Sequence, residues 1–211
     1  MRKILGKIKV ADEAAAAAYA VERGLTSPGE VERDVGERRI PSLRFILITD
    51  VVASGVLIHR AGDAKAHDLM QIHNELIRHC LAVHDGTEIT HTGDGLEASF
   101  DSASSAVACA VAIQQAFAQH NAEHPPDAIR LRVGVHAGQP ISTEGRLFGT
   151  AVHAAFRICA RAGPGQIVVS DVVGQLVAGK GFVLTSRGRV SLKGLPGRMQ
   201  LYEVLWERRP A

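Results

Sequence analysis

The sequence predicts an α+β or α/β sandwich, with helices packed over one mixed, mostly antiparallel sheet. Three observations carry that expectation. The apolar run from Phe45 to Ser54, FILITDVVAS, reads as a buried strand delivering a lone carboxylate, Asp50. About forty residues on, ITHTGDGLEASF sets Asp94 between Gly93 and Gly95, which suits a tight turn between two strands and leaves the side chain free to project. Around these segments apolar residues recur at helical spacing, giving the order βα, hairpin, α, β, α, β, α, ββ.

Taken in order, ADEAAAAAYAVER (11–23) combines strong helix formers with early acids, and Gly24 and Pro28 stop it. From Thr26 to Pro41 the chain is charged and broken by Pro28, Gly29, Gly36 and Pro41. Residues 1–41 are therefore expected to form a helix and linker arm, 42–206 the globular domain, and 207–211 a tail. After Gly55, the apolar residues Leu57, Ile58, Leu69, Ile72, Leu76, Ile77 and Leu81 predict helix, interrupted at Gly62. The hairpin spans Thr87 to Phe100. Ser102 to Phe117 follows as an alanine-rich helix that ends before Pro125 and Pro126. IRLRVGV, Ile129 to Val135, alternates as a strand should, and a helix is expected over Phe148 to Arg161. QIVVS is a short strand before the helical DVVGQLV, and FVLTSRGRVSLKG with MQLYEVLW makes a closing pair of strands. No internal repeat is present.

Composition narrows the function classes. With 211 residues, 46% apolar and 22% charged, the chain can bury one sizeable core. Lys and Arg total 24 against 22 Asp and Glu, and the basic residues are scattered, which points to no nucleic-acid partner and no membrane insertion. Cys80, Cys109 and Cys159 are odd in number and lack CxxC spacing, so they read as buried free thiols in a reducing, cytoplasmic compartment. The opening MRKILGKIKV is too short an apolar run for a signal peptide.

Two carboxylates brought close repel one another, and a divalent cation with oxygen ligands, Mg²⁺ or Mn²⁺, is the simplest remedy. Asp50 alone is accounted for as a strand end, and Asp94 alone as a turn former. As a pair they point to a metal and to phosphate chemistry.

From about Leu43 to Val204 the sequence resembles the class III nucleotidyl cyclase catalytic domain, the adenylate and guanylate cyclase fold. FILITDVVAS resembles the family's first metal-aspartate strand and phosphate loop, and GDAKAHDLMQIHNELIR the helix after it. THTGDGLEASFDSASSAVACAVAIQ is similar to the second metal-aspartate hairpin with its helix, and RVGVHAGQP, FGTAVHAAFRICARAGPGQIVVS and LKGLPGRMQLYEV continue the match. The resemblance implies a ferredoxin-like βαββαβ sandwich with extra C-terminal strands, active as a head-to-tail homodimer with sites at the interface.

It further implies that Asp50 and Asp94, with the Val51 backbone carbonyl, hold two Mg²⁺ or Mn²⁺ ions per site. A nucleoside triphosphate is the implied substrate. The peptide N–H groups from Val51 through Val52, Ala53, Ser54 and Gly55 are implied phosphate donors, which small residues permit by letting backbone approach closely. Arg157 matches the transition-state arginine contributed by the other subunit, and Lys193 matches a lysine that contacts the terminal phosphates.

Three positions depart from the family pattern. Where a lysine commonly precedes GDG by three residues this chain has Thr90, and where the adenylate form has an aspartate three residues before the FG glycine it has Arg146. These are the purine-reading positions, so ATP and GTP both stay open. His153 replaces the asparagine four residues before Arg157, where an imidazole can still donate toward ribose. His91 and His136 read as structural. A working cyclase and a degenerate cyclase-homology domain, serving as a nucleotide-binding or regulatory dimerisation module, both remain open.

Overall fold

A computed structural model describes residues 42–91 and 93–207. The expected N-terminal helix and linker arm lie outside the described residues. The chain runs β1 (Arg44–Val51), α1 (Ser54–Ala61), α2 (Asp63–Val83), β2 (Thr87–His91), β3 (Gly95–Phe100), α3 (Ala103–Glu123) and β4 (Leu131–Gly138). It continues through β5 (Ile141–Thr143), β6 (Arg146–Phe148), α4 (Thr150–Cys159), β7 (Ile167–Ser170), α5 (Asp171–Leu176), β8 (Val183–Val190) and β9 (Met199–Leu205). Gly62 separates α1 from α2 at φ 78°, ψ 159°, a conformation open to glycine and to few other residues. Ser102 caps α3 by accepting the Ser105 amide at 3.4 Å.

Seven strands form one sheet in the order β2-β3-β1-β4-β7-β9-β8. Every neighbouring pair is antiparallel except β4 with β7. The first four strands with α1, α2 and α3 are the βαββαβ core, and β7, β8 and β9 extend it on the β4 side. The α+β expectation holds.

Strand β1 is covered on both faces, which is why FILI is continuously apolar rather than alternating. On one face Phe45, Leu47 and Val51 meet Leu69, Ile77 and Leu81 of α2 and Val107, Ile113 and Phe117 of α3. On the other, Ile46 and Ile48 meet Val152, Ala155 and Cys159 of α4. Each such buried aliphatic side chain contributes about 1.5–3 kcal/mol. Helix α4 sits close to β4 because Gly134 and Gly138 present no side chain to it. A Cβ on Gly134 would lie 2.3 Å from the Cys159 backbone nitrogen, and one on Gly138 would lie 2.5 Å from the Ala151 Cβ.

Two sequence expectations shift. The helix expected from Phe148 starts at Thr150, because Phe148 pairs with Ile141 in a two-stranded ladder and Gly149, at φ 117°, turns the chain into the helix. That β5/β6 ladder was not expected. Its turn uses Glu144 and Gly145, both at positive φ (51° and 75°), the signature of a type I′ hairpin written without the usual Asn or Asp. The strand expected from Ile129 to Val135 is set two residues later, at Leu131–Gly138.

Candidate active site

Asp50 lies one residue from the end of β1, paired in register with Gly95 of β3 and with Arg132 of β4. The Val51 amide donates to the Asp94 carbonyl oxygen at 2.9 Å, so the turn carrying the second aspartate is fastened to the strand carrying the first. Each carboxylate has a partner. Arg132 Nε donates to Asp50 Oδ2 at 2.7 Å, and Nη2 reaches the same oxygen at 2.5 Å. The Ser54 hydroxyl donates to Asp94 Oδ2 at 2.6 Å. About one third of the Asp50 and Arg132 side chains is exposed (32% and 33%), so this ion pair borders solvent and is open to exchange of partners.

The backbone between the aspartates and α1 narrows the expected phosphate loop. The Val51 and Val52 amides are already engaged, the first with Asp94 and the second with the Arg130 carbonyl at 2.8 Å. The N–H groups of Val51 and Val52, expected as phosphate donors, thus have main-chain acceptors here, while the Val51 carbonyl expected as a metal ligand is not the atom engaged. Ala53 follows in the left-handed region at φ 57°, ψ 41°, a conformation that costs a non-glycine residue about 1–2 kcal/mol. Its amide and those of Ser54 and Gly55 have no backbone acceptor among the described residues. Together they form the N-terminus of α1, which has no side-chain cap and no acid in its first turn. Unpartnered amides at the positive end of a helix are a ready anion site.

The donor set suits a hard divalent cation. Two carboxylates and the Val51 carbonyl are all oxygen donors, and among the described residues no group of three or more His, Cys, Asp or Glu gathers to form a closed cage. Magnesium is commonly held by one or two carboxylates and keeps its remaining positions for water and substrate phosphates. His and Cys ligands, the mark of a zinc centre, are not part of this set.

The other expected site residues lie elsewhere on the domain. His153 and Arg157 sit one turn apart on the exposed side of α4, whose opposite side is sunk against β1 and β4. Lys193 is exposed in the loop between β8 and β9. Thr90, half-buried on β2, and Arg146, exposed on β6, come from elements that lie against one another. Across the β2/β3 pair Thr90 faces Glu97, a buried glutamate whose carboxyl is pushed above its usual range by desolvation. The three cysteines are free and buried as expected, and desolvation pushes the Cys109 and Cys159 thiols up to about 12. Arg132 was missed by sequence reasoning. The alternation of IRLRVGV put it on a definite strand face, but only the β1/β4 register shows that this face is shared with Asp50.

No helix among the described residues is long and apolar enough to cross a membrane. Comparison with known proteins gives a consistent family. Residues 44–205 match the model of the adenylate and guanylate cyclase catalytic domain. The chain is 39% identical over 139 residues to a putative adenylate cyclase 3 of Rhizobium meliloti, covering 65% of this chain and 24% of that protein. It therefore spans about a quarter of that relative's length. Among solved structures, an adenylate/guanylate cyclase/hydrolase from Silicibacter pomeroyi superposes with a TM-score of 0.69 at 30% identity, covering 77% of this chain and 96% of that one. The adenylyl cyclase CyaB from P. aeruginosa shares the fold with a TM-score of 0.69 at 19% identity, over 79% of this chain and 95% of that one. With residues 44–205 matching that family model and the sheet superposing on a solved cyclase at 30% identity, the chain belongs to the adenylate and guanylate cyclase catalytic domain family.

Proposed function

We propose that this domain converts a purine nucleoside triphosphate, ATP or GTP, to the 3′,5′-cyclic monophosphate and pyrophosphate in signalling, at sites shared by two head-to-tail copies of the chain. The observation that carries the reading is the fastening of the Asp94 turn to the end of β1, the strand that carries Asp50 and leads straight into the open amides of Ala53, Ser54 and Gly55. In the reaction the ribose 3′-oxygen bonds to the α-phosphorus, and the bond from that phosphorus to the β-phosphate bridging oxygen breaks. Pyrophosphate leaves with the electron pair, and the hydroxyl proton passes to solvent.

Two divalent cations, Mg²⁺ or Mn²⁺, held by Asp50, Asp94 and the Val51 carbonyl would favour the ionised 3′-oxygen and neutralise the leaving charge. The amides at the start of α1 bind phosphate oxygens. Arg132, adjacent to Asp50, supplies a guanidinium that can turn to a phosphate once Asp50 has another partner. Arg157 of a second copy reaches the α-phosphate, where a planar fork stabilises the charge that develops. The same copy offers His153 toward the ribose, Lys193 toward the terminal phosphates, and Thr90 and Arg146 toward the base edge. Three buried free thiols suit a reducing cytoplasm.

The test is incubation of the purified chain with ATP, and separately with GTP, in the presence of Mn²⁺, with chromatographic detection of the cyclic product. Product from either triphosphate supports the reading. Its absence from both, in protein that binds nucleotide or dimerises, makes the domain a regulatory module instead.

A further inference from the structure

The turn that carries Asp94 is anchored from behind by hydrogen bonds whose direction the chemistry fixes. The Gly93 amide donates to His91 Nδ1 at 3.1 Å. Because a peptide N–H can only donate, Nδ1 carries no proton and the ring hydrogen sits on Nε2. That Nε2–H donates to Asn74 Oδ1, 2.6 Å away on α2. The same amide oxygen accepts from His73 Nδ1 at 2.9 Å. His73 Nε2 is then the bare nitrogen, and it is buried without a partner among the described residues. The ring stands edge-on to His91, 6.4 Å between centroids, and packs against Phe117 at 5.7 Å.

The two ends of this chain differ in stiffness. Helix α2 has 21 residues, and Leu69, His73, Ile77 and Leu81 sink its inner face into the core. The turn, by contrast, has glycine on both sides of Asp94, with Gly93 at φ 90°, so its own backbone restrains the carboxylate weakly. Both nitrogens of His91 are engaged, so it is not itself available as a ligand.

We propose that His91 and Asn74 are positioning residues: through Gly93 they hold the Asp94 turn in the geometry that lets its carboxylate share a cation with Asp50. The proposal rests on the cyclase reading above. Groups that orient metal ligands change metal affinity or activity by about 10- to 100-fold when removed, and that is the size of effect expected.

The test uses the full chain and two readouts besides turnover. One is Mn²⁺ affinity from the electron-paramagnetic signal of free Mn²⁺, measured with 3′-deoxy-ATP and with 3′-deoxy-GTP, which cannot cyclise. The other is amide hydrogen exchange at Gly93. His91→Leu and Asn74→Leu are expected to weaken Mn²⁺ binding about 10- to 100-fold and to speed exchange at Gly93. Asn74→Asp, which can still accept from both imidazoles, is expected to stay close to wild type, while His91→Asn, whose Oδ1 can still accept the Gly93 amide but which has no donor that reaches Asn74, is expected to weaken Mn²⁺ binding as Asn74→Leu does. Should the leucine variants fail to fold, His91→Gln replaces them, because it keeps a distal donor but loses the acceptor for Gly93. Wild-type Mn²⁺ affinity in His91→Leu or His91→Gln, whatever the exchange rate, overturns the positioning role and leaves the cyclase reading intact. Failure of the wild-type chain to bind Mn²⁺ with either analogue overturns both.

Discussion

The amide of Val51 donates to the carbonyl oxygen of Asp94 across 2.9 Å, joining backbone segments more than forty residues apart in sequence. A side chain added or lost at either aspartate leaves that main-chain bond in place. The carboxylates can therefore be removed without removing the architecture that presents them.

Asp50→Ala and Asp94→Ala are each expected to lower Mn²⁺-dependent cyclic product formation by about 100-fold or more, since each deletes a ligand from a centre that supplies several kcal/mol to the transition state. Circular dichroism should stay at wild type. Unchanged turnover in both variants would dismiss the metal assignment.

If sites form between copies, a mixture of Asp50→Ala chains with Arg157→Ala chains regains activity, because each heterodimer carries one site with neither substitution and one with both. Each variant alone should be depressed, Arg157→Ala by about 10²- to 10³-fold, the loss seen when one transition-state donor is removed. A mixture no better than its components would place the whole site within one chain.

Thr90→Lys combined with Arg146→Asp restores the donor and acceptor that resemble the adenine-reading pair of the family. The ratio of kcat/KM for ATP to that for GTP should rise by about tenfold, roughly one net hydrogen bond. A constant ratio would remove both residues from the base edge.

Burial of His73 also makes stability depend on pH. Desolvation lowers its pKa below the ordinary 6.5, so the folded chain keeps the ring neutral while the unfolded chain takes up a proton as pH falls through that value. The unfolded state then binds more protons, and stability declines with acidification. His136 shifts in the same direction for the same cause. Glu97, raised by burial from 4.5, works in the opposite sense: the folded state protonates it first, which adds stability as pH falls between its folded value and 4.5. The Tm is expected to drop between about pH 7.5 and about pH 5.5, and His73→Leu should flatten that drop. An identical slope in the variant would show that His73 carries none of it.

Sequence carried the fold a long way, and the reasons are local. FILITDVVAS and THTGDGLEASF each contain their own strand and turn signals, and Gly62 its own helix break, so β1, the hairpin and the α1/α2 division were legible residue by residue. Cross-strand register was not. Arg132 joins Asp50 only because β1 and β4 align Asp50 with Arg132, and a stagger of one residue would have sent the guanidinium to the opposite face. The engagement of the Val52 amide by the Arg130 carbonyl is hidden from the sequence in the same way. The β5/β6 hairpin escaped because Glu-Gly is a weak written form of a turn that Asn-Gly or Asp-Gly announces clearly.

Gly134 and Gly138 leave α4 so little clearance that the missing methyl groups act as a gauge for the height of that helix above the sheet. Arg157 rides on the outward side of the same helix. In a shared-site enzyme, an error of one ångström at this seam would be delivered to the neighbouring molecule's chemistry rather than to its own. If two copies do share a site, its fidelity is set inside each of them, at two positions where nothing larger than hydrogen fits.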